Sequence, residues 1–127
     1  MKSFNLADRF VTFSVEIINI SEKLPNTYAG KYLSEQILRS GVSSSLNYGE
    51  AQGGESRKDF VHKLKISLKE LRETLISLKI IEKALLIKDN EKLNHALDET
   101  NQLISILVRS IETAKDNDVK NVPFRNN

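Results

Sequence analysis

Residues 56–87 read SRKDFVHKLKISLKELRETLISLKIIEKALLI, and the reading of this stretch decides the fold. Phe60, Leu64, Leu68, Leu71, Leu75, Leu78 and Leu85 recur at spacings of three, four and seven. At about 100° per residue they fall on one face of an α-helix. Ser56 with Asp59 three residues on is the start signal of a capping box, in which a side-chain oxygen satisfies an unpaired N–H of the first turn. The stretch therefore predicts a helix over 56–87, roughly 48 Å long at 1.5 Å per residue. Its leucine face needs other helices to cover it.

Those helices can be read on either side. Leu6, Phe10, Phe13, Ile17, Ile20 and Leu24 predict a helix over about 6–24, with Asn5 as N-cap. Pro25 ends it, because the residue before a proline is pushed out of the α region. Asn26 and Thr27 then cap a second helix, about 27–52. There Leu33, Ile37, Leu38, Val42, Leu46 and Tyr48 are interleaved with Gly30, Gly41, Ser43, Ser44, Ser45 and Gly49. Interior glycine costs about 1 kcal/mol relative to alanine. Gly41, Ser45 and Gly49 stand four apart, which reads as a groove admitting another backbone. A loop over 40–55 is the alternative, but the apolar spacing carries the helix to Ala51, and Gly53-Gly54 breaks it. After a turn at Asp89-Asn90, a fourth helix over about 91–115 presents Leu93, Ala96, Leu97, Ile104, Leu107, Val108 and Ile111. Residues 116–127 show no helical period and read as a loose tail. Four amphipathic helices with short connections predict a single all-α domain, an antiparallel up-down-up-down four-helix bundle.

The chain has 127 residues, enough for a core without staples. The absence of cysteine excludes a disulfide scaffold, a thiolate zinc site and a cysteine nucleophile. No run of about 18 apolar residues would span a membrane. Asp8 and Arg9 stand where a secretory signal would be apolar, so a cytoplasmic location is expected. The net charge of +2 is small, but residues 56–88 carry nine basic and four acidic side chains, and residues 89–127 five and seven.

A second set of apolar residues lies off the core stripes. Ile66, Ile76, Ile80 and Ile87 fall far from the leucine face of the third helix. Phe4, Val11, Val15 and Ile18 do the same on the first. A helix apolar on both sides is buried on both sides. Homo-oligomerisation is thus expected, with Ile66, Ile76, Ile80, Val11, Val15 and Ile18 at the interface.

The run RSGVSSSLNYGEAQGGES, followed by DFVHKLKISLKELRETLISL, resembles the bacterial four-helix-bundle proteins called 23S rRNA intervening-sequence proteins. Asn47 and Glu50 match their Asn-x-x-Glu. Ser56, Asp59 and Phe60 match their Ser-x-x-Asp-Phe, and Lys69, Glu70, Arg72, Glu73 and Thr74 match their Lys-Glu-x-Arg-Glu-Thr. Ile76 and Ser77 replace an aromatic pair seen in many relatives, and Ser44 and Ser45 replace larger residues. The resemblance implies an all-α bundle, ring-like pentameric assembly and no established enzymatic activity. Distant relatives with similar bundles bind nucleic acid as accessory proteins of reverse transcriptases.

Lys58, Lys65, Lys69, Arg72, Lys79 and Lys83 form a stripe about 40 Å long on the third helix, between its leucine and isoleucine faces. Such a stripe can track the phosphates of RNA or DNA, or can simply be a solvated face opposite the acidic fourth helix. Few aromatics accompany it, so base stacking is not expected. No Glu-x-x-His occurs, so a di-metal bundle site is not expected. Asp59 with His62, and Glu91, His95 and Glu99, are weaker metal patterns. Gly53-Gly54 lacks the following Lys-Ser/Thr of a phosphate loop. No catalytic residue, metal, cofactor or small-molecule substrate is expected. Asn47, Glu50, Ser56, Asp59, Glu70 and Glu73 read as a structural polar motif near the corner between the second and third helices, with Asn47 and Glu50 either satisfying backbone groups or pairing with Arg72.

Overall fold

The computed structural model describes residues 5–88 and 90–119. Among these are four helices and no strand: α1 (Leu6–Lys23), α2 (Tyr28–Gln52), α3 (Arg57–Lys83) and α4 (Asn90–Val119). Asn5, Thr27 and Ser56 cap α1, α2 and α3, their side chains accepting from the N–H groups of Asp8, Gly30 and Asp59.

The helices form an all-α four-helix bundle in which each packs on its neighbours in sequence and α1 closes the ring against α4. The two diagonal pairs, α1 with α3 and α2 with α4, face each other across the core without close backbone approach. Contact registers show antiparallel neighbours. Ser34 Oγ donates to the Ser21 carbonyl, while Ser45 Oγ donates to that of Phe10. On α2 and α3, Glu50, Ser44 and Ser40 meet Lys63, Ser67 and Thr74. On α1 and α4, Arg9 meets Glu99 and Glu16 meets His95.

The core is the stack of apolar stripes. Phe10, Phe13, Ile17, Ile37, Leu64, Leu71, Leu78, Ile81, Leu93, Leu103 and Leu107 are almost fully buried. Tyr48 stacks on Phe10, with ring centroids 4.7 Å apart, and burial pushes its phenol pKa above the ordinary value.

Four sequence expectations change. First, α3 ends at Lys83 rather than Ile87. Leu85 takes the left-handed region, with φ 57°. The Leu85 N–H donates to the Glu82 carbonyl and the Leu86 N–H to that of Ile81. Those two bonds form a Schellman stop. The helical phase is lost there, so Leu85, expected in the core, stands 78% exposed. Ile87, expected on the outer face, is buried. Second, α4 runs to Val119, so residues 116–119 are not part of a loose tail. Residues 120–127 of that tail lie outside the described residues. Third, the small-residue groove of α2 is only partly a packing surface. A Cβ on Gly41 would stand 3.0–3.3 Å from Ile17, and Ser45 bonds α1, but nothing lies within 4 Å of one on Gly49. Fourth, Leu38 and Leu46 of α2 are exposed.

The most extensive helix contact, α2 with α3, is filled with small polar residues. Ser40, Ser44, Ser67 and Thr74 are all completely buried. Ser67 Oγ donates to the Ser44 carbonyl at 2.7 Å, and Ser40 and Thr74 share a 2.7 Å hydroxyl bond. Each hydroxyl has a single proton. One of that pair therefore donates across the seam while the other donates back to its own helix, at the Gln36 or Glu70 carbonyl.

Candidate functional site

All six expected basic residues of α3 are exposed. Taking Lys58 as origin and 100° per residue, Lys65, Lys69, Arg72, Lys79 and Lys83 lie within about 60° of it. Ile76 and Ile80, 56% and 48% exposed, fall inside this arc. The expectation that the basic stripe runs between a leucine face and a separate isoleucine face is therefore corrected. Ile76 and Ile80 share the outward surface of α3 with the cations. One shallow hollow there is bounded by Lys69, Arg72, Glu73 and Ile76 together with Gln36 and Ser77. Another is bounded by Ile76, Lys79, Ile80, Lys83 and Ala84. Ile66 is half-buried, one turn before the buried Glu70, on the flank toward α2.

Val11, Val15 and Ile18 are 61%, 50% and 40% exposed on α1. They cannot join the α3 surface, because α1 and α3 occupy opposite corners of the bundle. The residues expected at an interface thus lie on two separate faces of one copy. Phe4, expected beside them, lies outside the described residues. The register fixed by the Ser14–Ser45 and Ser21–Ser34 bonds instead sets Val11, Val15 and Ile18 alongside Leu46, Val42 and Leu38 of α2. Leu38, Leu46 and the half-buried Val42 were read from the sequence as apolar positions of the second helix, not as part of an outer face. Their common feature is a phase offset from the buried Leu33, Ile37 and Tyr48.

The polar motif serves the architecture. Ser56 caps α3, and its Oγ accepts from the Asp59 N–H at 3.0 Å. Gly54 leaves room at this corner: a Cβ there would lie 3.0 Å from the Asp59 carboxylate and 3.1 Å from the Ala51 carbonyl. Asn47 Nδ2 donates to the Ser43 carbonyl of its own helix. Lys63, not Arg72, pairs with Glu50 at 2.6 Å. The hydrogen bond to Glu50, with its charge, holds the Lys63 ammonium above the ordinary lysine pKa, and Asp59 adds to the effect. Glu70 and Glu73 meet Arg39, which sequence reasoning left without a role. The Arg39 guanidinium stands 3.2 Å from Glu73 and 3.6 Å from the buried Glu70. The second distance is an ion-pair separation too long for a hydrogen bond, and Glu70 Oε1 has no hydrogen-bond partner among the described residues.

The acidic and histidine patterns of α4 are spoken for by α1. His95 Nδ1 pairs with Glu16 at 2.5 Å. Arg9 donates to both Glu99 oxygens, at 3.0 and 2.6 Å, and to Gln102, and its guanidinium pKa is raised by the Glu99 bond. Among the described residues no group of three or more His, Cys, Asp or Glu is placed to hold a metal ion. A groove of about 870 Å³ runs along the later half of α4 beside Arg57 and Phe60, past Gln102, Ile106 and Arg109. No carboxylate or imidazole lines it among the described residues. No described helix is long and apolar enough to cross a membrane.

Residues 2–109 match the family described as 23S rRNA-intervening sequence protein. The chain belongs to the 23S rRNA-intervening sequence protein family. The match takes in α1, α2, α3 and the first two-thirds of α4. A crystal structure at 1.70 Å of a protein with unknown function from the S23 ribosomal protein family of Bacteroides thetaiotaomicron VPI-5482 is similar, with 33% identity and a TM-score of 0.77. The similarity covers 84% of this chain and 98% of that one. No curated protein matches. Family membership agrees with the motif residues: Ser56 and Asp59 fall at a helix start, and Glu70 and Thr74 in a buried seam.

Proposed function

We propose that this family member works as a non-enzymatic, self-assembling helical module of the cytoplasm, with a structural or interaction role. The observation that supports this most is the aliphatic surface left outside a complete bundle. Ile76 and Ile80 on α3, and Val11, Val15 and Ile18 on α1, are each 40–61% exposed although the core is closed. Each aliphatic side chain withdrawn from water contributes roughly 1.5–3 kcal/mol, enough over several residues to offset the freedom lost on association when packing is good. A ring, pentameric as the family resemblance implies, is the form proposed. Sedimentation of the parent protein should give a mass well above 14.4 kDa. Ile76→Lys/Ile80→Lys should move it toward the monomer while leaving the far-UV spectrum helical, because the Leu64–Leu78 stripe is untouched. A parent that sediments as a monomer at high concentration would refute self-assembly.

A second reading is favoured by one observation, the six exposed cations on a single arc of α3: nucleic-acid binding in an accessory role. Binding of ribosomal RNA and of generic duplexes, titrated with salt, tests it. Each phosphate neutralised on a duplex contributes about 0.9 to the slope of log K against log salt. Lys65→Glu/Lys69→Glu should lower that slope by about 2 and weaken binding to all sequences alike. Salt-independent or absent binding refutes this reading. Because Ile76 and Ile80 lie within the cationic arc, a protomer cannot use that face for self-assembly and for phosphate contact at once.

A further inference from the structure

We propose that the groove along the later half of α4 is the seat of the chain's own residues 1–4, with the Phe4 ring as anchor. These residues lie outside the described ones, and the register of α1 on α4 shows where they must start. Arg9 meets Glu99 and Gln102, and Glu16 meets His95. Leu6, the first residue of α1, is therefore level with about residues 103–106 of α4. From there α4 runs on to Val119, about 20 Å further at 1.5 Å per residue. Beside that stretch, the lane that a longer α1 would fill holds no helix among the described residues. The start of α3 flanks it through Arg57 and Phe60, and the result is the groove of about 870 Å³. Gln102, which bonds Arg9 of α1, lies at its near end, and Asn117 at its far end.

The chain enters this lane from α1 without a turn. Asn5 caps the helix in an extended conformation, φ −129° and ψ 99°. Helical phase is lost there, so spacing no longer assigns Phe4 to the Val11 and Val15 strip. Four residues reach at most about 14 Å when extended, enough to run from the near end to the level of Ser110 and Thr113. Ile106, Ala114 and the half-buried Phe60 supply the apolar lining, and Phe4 is the aromatic that the segment brings to it. The rival occupant, residues 120–127, starts beyond the far end and would have to double back to enter.

Charge does not choose the occupant. Arg57 and Arg109 line the groove, while Asp98, Glu112, Lys115 and Asp116 stand exposed on α4 within a turn of the lining, and the segment brings Lys2. Seating is through apolar contact, so added salt should leave it nearly unchanged.

The experiment exploits the absence of cysteine from the chain, since a disulfide forms only where two Cα atoms come within about 7 Å. Ser3→Cys/Ser110→Cys should oxidise within one chain, giving a product that keeps the 14.4 kDa mass. Ser3→Cys/Gln52→Cys is the comparison, because Gln52 ends α2, where a continued Val11 strip would bring residue 3. It should oxidise about tenfold more slowly or worse. Phe4→Ser added to the first pair should slow that pair by about tenfold, the factor expected when a buried aromatic contact is lost. Should Ser110→Cys disturb the helices by far-UV circular dichroism, the exposed Thr113→Cys replaces it. Equal rates for the Ser110 and Gln52 pairs, or a rate indifferent to Phe4→Ser, overturn the proposal. A product of twice the mass overturns it by placing the segment on another copy. Asn126→Cys/Ser110→Cys oxidising in place of the Ser3 pair overturns it by giving the groove to residues 120–127.

Discussion

Phe13→Ala is expected to lower the unfolding free energy by about 3–5 kcal/mol, the range for removing a large buried aromatic. Phe13 is 0% exposed, in the middle of α1, between the equally buried Phe10 and Ile17. Alanine would leave a void that two rigid antiparallel neighbours cannot close without breaking the serine bonds that set their register, Ser45 to the Phe10 carbonyl above all. Small domains are stable by about 5–15 kcal/mol in total, so the variant should be near its folding threshold. With a urea dependence of about 1–3 kcal/mol per molar, the midpoint followed at 222 nm should fall by at least 1 M at fixed protomer concentration. A shift below about 0.3 M would mean that α1 is not seated as described.

Gly30→Ala should cost about 2–3 kcal/mol, although alanine is the better helix former. A Cβ at Gly30 would lie 1.9 Å from the carbonyl oxygen of Pro25 and 2.9 Å from its carbonyl carbon. These are backbone atoms, so no side-chain rotation relieves the overlap. The α1–α2 turn would have to reopen, drawing Gly30 N–H from its 3.0 Å bond to Thr27 Oγ1. Gly49→Ala is the matched control, since its Cβ would enter open space. It should gain roughly 0.5–1 kcal/mol from propensity alone. Both are read from urea midpoints. Equal and small effects would contradict the close approach at Pro25.

The four-helix fold was legible because its signals are local. Phe10–Phe13–Ile17 and Leu64–Leu71–Leu78 repeat with the helical period, and Asn5, Thr27 and Ser56 mark starts by side-chain chemistry. The end of α3 was not legible. Leucine is a poor residue for a left-handed position, and the leucine–isoleucine period runs on past Lys83 without a glycine or proline to mark the stop. Gly41, Ser45 and Gly49 of α2 were read as one groove, but which small residues of that helix face α1, which face α3 and which face water depends on register between helices. So do the pairing of Lys63, rather than Arg72, with Glu50, and that of Arg39 with Glu70 and Glu73. The candidate surface was half legible. Its residues could be named from spacing, and the same spacing of 100° per residue already sets Ile76 and Ile80 among the lysines, but that Val11 and Val15 lie on the far side of the molecule follows only from the order of helices around the bundle.

The junction of α1 with α4 is the thinnest of the four, and its cross-links are the ionic and polar pairs Arg9–Glu99, Arg9–Gln102 and Glu16–His95. The barrel of helices thus has a gate where its first and last elements meet, latched by charge, while its other three edges are hinges of chain. Opening the gate exposes the phenylalanine face of α1 yet leaves the α2–α3 serine seam intact. Amide exchange should therefore be quickest, within the helices, along α1, and should quicken as added salt weakens the latch, while α3 keeps the protection of global unfolding.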